Sequence, residues 1–187
     1  MSGGIVKNNY HICAMNVLEL FKKITTFIFD VDGVLTDGTV LVLDNGLQAR
    51  RMNIKDGFAL QMAITNGYRV LIVSGGNSPQ VAGRLEKLGI HEVHMSVADK
   101  KAFVTDYMTQ NKLSKEQVLY MADDLPDLPV MQIVGLPSCP ADAVNEVKEA
   151  VQYISPLKGG DACVRDVIEK VLKLNDHWNF KIEIASR

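Results

Sequence analysis

Asp30 and Asp32 stand one residue apart at the end of an apolar run, Phe27-Ile28-Phe29-Asp30-Val31-Asp32-Gly33, followed by Val34-Leu35-Thr36-Asp37-Gly38. Two carboxylates at that spacing suit a hard cation such as Mg²⁺, which takes oxygen ligands and keeps several waters. They also suit covalent chemistry in which one carboxylate attacks and the other moves protons. Side chains alternate along a strand, so the pair would share a face only if the strand ran on. Gly33 argues that the chain curls there instead. The competing reading is a solvated, aspartate-rich turn after a buried strand.

Further groups of chemical interest recur after other apolar runs. Ser74-Gly75-Gly76-Asn77 follows residues 70–73, and Asp123-Asp124-Leu125-Pro126-Asp127 follows residues 118–121. Asp99-Lys100-Lys101 opens a helical segment. In a parallel sheet such strand ends fall on one edge, where open α/β sheets bind ligands. The inventory is then carboxylates, a hydroxyl, a lysine and glycine-flanked amides. That set suits phosphoryl transfer, where catalysis is mostly positioning and charge neutralisation.

The elements that must position these groups alternate. Helices are expected over 17–22, 56–66, 78–88, 100–111, 128–133, 141–150 and 161–174, with Asp56 as a candidate cap of the second. Strands are expected over 24–29, 70–73, 92–95, 118–121, 134–136 and 151–154. Residues 39–43 and 47–52 around Asn45-Gly46 read as a β-hairpin. The alternation predicts an α/β fold, a doubly wound Rossmann-like parallel sheet with a hairpin inserted after its first strand. Residues 16–174 are expected to form one domain. Residues 1–15 read as a leader, a candidate for disorder, and 175–187 as a C-terminal tail.

The 187 residues are 47% hydrophobic and 22% charged, with a net charge of −2, an ordinary globular balance without a basic footprint for nucleic acid. Apolar runs are too short to span a bilayer, so no membrane partner is expected, and the first ten residues lack a signal-peptide pattern. Cys13, Cys139 and Cys163 are odd in number and lack metal spacing, which points to a reduced, cytoplasmic setting. His91 and His94 lack a third ligand nearby and read as surface or packing residues; Cys163 reads as a small buried residue. Trp178 is a candidate anchor, on its own surface or a neighbour's.

Over residues 24–172 the motifs resemble those of the haloacid dehalogenase superfamily of aspartyl phosphatases. The first motif, from Asp30 to Gly38, is highly specific; Asp123-Asp124-Leu125-Pro126-Asp127 is strong. Ser74 and Lys100 persuade by order and placement. The resemblance implies that Asp30 is the nucleophile and forms an aspartyl-phosphate, and that Asp32 protonates the leaving alcohol and then activates water. It implies Mg²⁺ on the Asp30 carboxylate, the Asp32 backbone carbonyl and Asp123. Ser74 with the amides of Asp32 and Gly75 would bind phosphoryl oxygens, and Lys100 would neutralise charge beside Asp30. Asp124 and Asp127 are candidates to stand behind the metal, and Asp127 equally to cap a helix. Ala122 departs from the usual glycine.

The stretches between these motifs are too short for a cap domain. The capless branch that this chain is similar to is the 3-deoxy-D-manno-octulosonate 8-phosphate phosphatase family, on Val34 to Gly38, the hairpin, Asp56-Gly57, Gly159-Gly160 and Val164-Arg165-Asp166. The resemblance implies a phosphorylated keto sugar acid as substrate and a homotetramer joined through the hairpin, 39–52. Arg84 is the leading candidate for the sugar acid's carboxylate, with Lys87 and Arg165 behind it. A nine-carbon, sialic-acid-type 9-phosphate phosphatase is the near alternative; such enzymes carry glutamate where this chain has Gly76. A silent phosphatase-like oligomerisation module and a response-regulator receiver are the readings from other classes. The first would lack Asp30 or Asp32, and the second orders its acidic groups differently.

Overall fold

A computed structural model describes residues 16–179. In chain order the elements are α1 (Val17–Lys23), β1 (Thr26–Phe29), β2 (Leu41–Val42), β3 (Gln48–Ala49), α2 (Ile54–Thr65), β4 (Arg69–Val73), α3 (Pro79–Lys87) and β5 (Glu92–His94). They continue as α4 (Lys100–Gln110), β6 (Val118–Met121), α5 (Leu128–Met131), β7 (Leu136–Cys139), α6 (Asn145–Ala150), β8 (Tyr153–Ile154) and α7 (Cys163–Leu174). The leader, 1–15, lies outside the described residues, as does the tail beyond Asn179.

Six strands pair in parallel in the order β5-β4-β1-β6-β7-β8. The chain winds outward from β1 through β4 to β5, then returns to β6 and winds outward the other way. That reversal places a crevice at the carboxyl ends of β1, β4 and β6, where sheets of this winding take ligands.

Both faces of the central strands are buried, which is why their sequences read as unbroken apolar runs. Phe27, Phe29, Ile72, Leu119 and Met121 pack with residues of α1, α2, α3 and α7. Ile28, Leu71, Val73, Val118 and Tyr120 face the other way, against residues of α4, α5 and α6. Helices on both sides leave the strand ends as the open edge.

The hairpin is a separate antiparallel pair, and its ladder is shorter than the sequence pattern suggests: Leu41 pairs with Ala49 and Val42 with Gln48. A single bridge, Thr36 with Met52, closes its base. No cap domain interrupts the described chain between β1 and α4.

Several boundaries differ from expectation. The strand expected at 134–136 is β7, Leu136–Cys139, because Gly135 is pinned by its amide to the Lys115 carbonyl at 2.7 Å and the strand starts after it. Pro137 lacks a donor, but its carbonyl accepts from Gln152 N–H at 3.0 Å. Asp56 does not cap α2; Asn53 does, accepting from Lys55 N–H at 2.9 Å. α7 begins at Cys163 after Ala162 in a left-handed conformation, φ +76°. Trp178 lies against Phe58, ring centroids 6.2 Å apart and nearly perpendicular, so it docks on its own chain.

Candidate active site

The loop after β1 holds its shape through Thr36, which is fully buried. Its hydroxyl donates to the Val31 carbonyl at 3.3 Å and accepts from Gly33 N–H at 3.3 Å and Gly38 N–H at 3.4 Å. Asp32 is extended and Gly33 has φ +77°. Two demands therefore meet at Gly33. The left-handed turn disfavours a side chain, and the Asp123 carboxylate occupies the place a Cβ would take. Gly159 and Gly160 press against the same loop, with Gly160 N–H donating to the Val34 carbonyl at 2.9 Å.

Asp30 is buried at the end of β1 and accepts from Val31 N–H at 2.7 Å. Lys100, at the start of α4, bridges two carboxylates: its Nζ lies 3.1 Å from Asp30 Oδ1 and 2.7 Å from Asp127 Oδ1. Tyr120 also donates its hydroxyl to Asp127. Burial pushes the Asp30 carboxyl up to about 6, against the pull of Lys100. Burial alone would lower the Lys100 ammonium, but the Asp30 and Asp127 carboxylates outweigh it and hold its pKa above the ordinary value. Burial and the charge of Asp30 push Asp123 up to about 7.

Ser74 is buried at the end of β4, and its hydroxyl accepts from Gly76 N–H at 3.1 Å. Gly75 is exposed beside it. A Cβ on Gly76 would stand 3.3 Å from Asp32 Oδ2 and 3.5 Å from Ser74 Oγ. A side chain there would press on Asp32 Oδ2 and lie in ordinary contact with Ser74 Oγ.

The remaining expected residues divide. Asp124 is exposed and caps its own turn, accepting from Leu125 N–H at 2.8 Å. Asp127 makes no cap hydrogen bond and instead anchors Lys100. The capping role considered for Asp127 thus falls to Asp124. Arg84 lines a pocket of about 380 Å³ between the hairpin and α3, with Arg50, Gln48 and Ser78. Lys87 stands exposed in the last turn of α3. Arg165 is tied elsewhere: its Nε meets Glu169 at 3.0 Å and its guanidinium lies 5.4 Å from the Trp178 ring centroid. Within the protomer, neither Lys87 nor Arg165 joins the carboxylate cluster.

Sequence reasoning missed Arg50 and Tyr120. Arg50 pairs with Asp32, Nε to Oδ1 at 2.6 Å. Neither had a signal: one of two adjacent arginines in a hairpin and a tyrosine inside an apolar strand read as surface charge and core.

Among the described residues no three His, Cys, Asp or Glu side chains are gathered for a metal. The carboxylates of Asp30 and Asp123 could hold a cation, and all-oxygen donors of this kind suit Mg²⁺ supplemented by water. The raised pKa values of Asp30 and Asp123 fit a divalent cation, since both carboxylates are shielded from water and the charge of Asp30 bears on Asp123.

A doubly wound parallel sheet with an Asp-x-Asp loop on its central strand, and a serine, lysine and aspartate converging on it, defines a haloacid dehalogenase-type phosphatase. No family model matches the chain. The 3-deoxy-D-manno-octulosonate 8-phosphate phosphatase of Escherichia coli (strain K12) is 31% identical over 171 residues, 91% of each protein. The chain belongs to the 3-deoxy-D-manno-octulosonate 8-phosphate phosphatase family. The crystal structure of the Yersinia pestis phosphatase of that name matches with a TM-score of 0.83 and 32% identity, covering 86% of this chain and 87% of that one. The Moraxella catarrhalis enzyme, in complex with magnesium, phosphate and the octulosonate sugar, matches with a TM-score of 0.82 and 28% identity, covering 86% and 93%.

Proposed function

We propose that this protein is a Mg²⁺-dependent phosphatase that hydrolyses 3-deoxy-D-manno-octulosonate 8-phosphate to the free sugar acid and phosphate. The observation that carries the chemistry is the buried Asp30, held 3.1 Å from Lys100 beside Asp123 at the sheet's crevice. The substrate follows from the relatives. Asp30, Asp123 and the Asp32 carbonyl would hold Mg²⁺, which would supply charge neutralisation for the phosphoryl oxygens.

The chain's own residues do the rest. An Asp30 oxygen attacks phosphorus, the bond from phosphorus to the sugar oxygen breaks, and Asp32 gives its proton to that oxygen. A water then gives a proton to Asp32 and attacks phosphorus, releasing phosphate and restoring the Asp30 carboxylate. Lys100, fixed by Asp127, which Tyr120 holds in turn, offsets the charge that gathers at Asp30. Ser74 and the amides of Gly75 and Asp32 receive the phosphoryl oxygens. Arg84, in the hairpin pocket, takes the sugar acid's carboxylate. Asp124 stands at the rim, and Lys87 and Arg165 serve the substrate only if an assembly or a closing motion brings them in.

The proposal includes a homotetramer built through the hairpin. Leu41 and Val42 are 64% and 67% exposed on adjacent positions that face opposite ways. Exposed apolar residues on both faces of a strand call for a partner. A cytoplasmic setting goes with the reading: Cys139 and Cys163 are buried free thiols, and no helix of the described residues is long and apolar enough to cross a membrane.

The test is phosphate release with Mg²⁺ from octulosonate 8-phosphate and from nine-carbon 9-phosphates, side by side. Preference for the eight-carbon ester is expected. Preference for the nine-carbon esters would keep the chemistry and overturn the substrate. Hydrolysis of neither by folded protein would return the silent oligomerisation module.

A further inference from the structure

The hairpin is exposed along most of its length, yet the Arg50 side chain at its end is only 7% exposed. Its guanidinium grips Asp32 with two nitrogens, Nε to Oδ1 at 2.6 Å and Nη2 to Oδ2 at 3.3 Å. Its third nitrogen, Nη1, is buried without a partner. An orphaned buried donor costs stability and calls for an explanation. Asp32 by contrast is 40% exposed, on a loop that turns through a left-handed glycine. An exposed carboxylate at such a place would swing among rotamers. A planar two-pronged grip fixes both of its oxygens, which a lysine cannot do.

The grip also sets where Asp32 points. Asp32 Oδ2 and Ser74 Oγ flank the same point above Gly76. Nη1 has no exposed surface, so it is not offered to a ligand while the pair stands. The hairpin base has its own anchor in the Thr36–Met52 bridge. The pair is therefore not what keeps the hairpin attached.

We propose that Arg50 is a positioning residue for Asp32: it anchors Oδ1 through Nε at 2.6 Å, so that Oδ2, released from its longer 3.3 Å contact with Nη2, is the oxygen that carries the proton handed to the departing sugar oxygen and that takes one from the attacking water. The proposal rests on the roles given above to Asp30 and Asp32. It predicts a dependence on leaving group. A sugar alkoxide needs a proton to depart, whereas nitrophenolate does not. Misplacing Asp32 should therefore slow phosphoryl transfer from sugar phosphates and spare transfer from p-nitrophenyl phosphate. Breakdown of the aspartyl-phosphate, which needs Asp32 for either ester, should slow in both cases.

The experiment compares Arg50→Ala, Arg50→Lys and the control Arg51→Ala, whose target pairs with Asp37 at 3.0 Å on the exposed side of the hairpin. Each is assayed with Mg²⁺ on octulosonate 8-phosphate and p-nitrophenyl phosphate, with acid-quenched samples weighed for phosphoenzyme. For Arg50→Ala we expect kcat on the sugar ester to fall about 10- to 100-fold with KM within about threefold. Nitrophenolate release in the first turnover should stay within about threefold, and phosphoenzyme should accumulate from that ester. Arg50→Lys should recover part of the loss, and Arg51→Ala should match the parent. Equal losses in first-turnover transfer from both esters, a change in KM alone, or no change would overturn the proposal. If Arg50→Ala melts below the assay temperature, Arg50→Lys carries the same comparison. A wild type inactive on both esters, or turnover by Asp30→Asn, would instead sink the roles on which the proposal rests.

Discussion

Asp30 and Asp56 are both buried carboxylates, and burial pushes both up to about 6. Their surroundings differ. Asp30 meets a buried ammonium, a second acidic residue on the same Lys100 and a loop that opens at the sheet's crevice. Asp56 sits in the first turn of α2 and reaches across to α7, accepting from Arg165 N–H at 2.7 Å. It thereby satisfies a donor at the start of a helix remote in sequence. Its other oxygen has no hydrogen-bond partner, and the residue lines a cavity of about 30 Å³, room for roughly one water. Equal perturbation thus marks a site in one case and a helix junction in the other. What separates them is the partner: a cation that can follow charge as it moves, against fixed backbone amides.

Exchanging each carboxylate for its amide gives the sharpest test of that difference. Asp30→Asn should lower turnover by roughly 10³-fold or more with the fold intact, because the nucleophile itself is lost. Steady turnover by this variant would remove Asp30 from the role. Lys100→Met should lower kcat about 100-fold. It should also destabilise by about 3–5 kcal/mol, since Asp30 and Asp127 would face each other buried without their cation. Adding Asp127→Asn should restore part of the stability and none of the rate; denaturant melts and kinetics on the same samples decide.

Arg84 lines both the hairpin pocket and the small cavity beside Asp56, so it stands between the two regions. Arg84→Ala should raise KM for keto sugar acid phosphates about tenfold or more and spare simple aryl phosphates. An effect on melting alone would assign Arg84 to the helix junction. The smallest expected effect on turnover is that of Asp56→Asn. The folded chain holds the Asp56 proton up to about pH 6, while the unfolded chain releases it near 4. Raising the pH through that interval therefore favours unfolding, by about 3 kcal/mol from this one group. Asparagine keeps an acceptor for Arg165 N–H and abolishes the titration. The variant should gain stability over its parent between pH 4.5 and 7, by up to that amount, with kcat within about threefold. A parallel loss in both proteins would show that Asp56 is not the group that titrates.

Much of the fold was legible because burial on both faces writes strands as apolar runs, and glycines mark where they stop. The carboxyl-end loops were legible for the same reason, since Asp30, Ser74 and Asp123 each follow such a run. The partners that tune them were not. Tyr120 is indistinguishable from core in sequence, and alternation in a short hairpin does not tell which of Arg50 and Arg51 faces inward. Asp56 was misread as a local cap because helix-start signals are local, whereas its partner lies 109 residues away. The strand at Leu136–Cys139 was displaced because Pro137 argues against a strand until its neighbour is known.

The most direct measurement is to quench the Mg²⁺-loaded enzyme in acid during turnover of octulosonate 8-phosphate and locate the phosphoryl group by peptide mass. The account predicts phosphate on the peptide that carries Asp30, absent from Asp30→Asn and unchanged in Asp56→Asn. Turnover with the label on another residue, or with no phosphoenzyme under conditions that trap the Arg50→Ala intermediate, would contradict it.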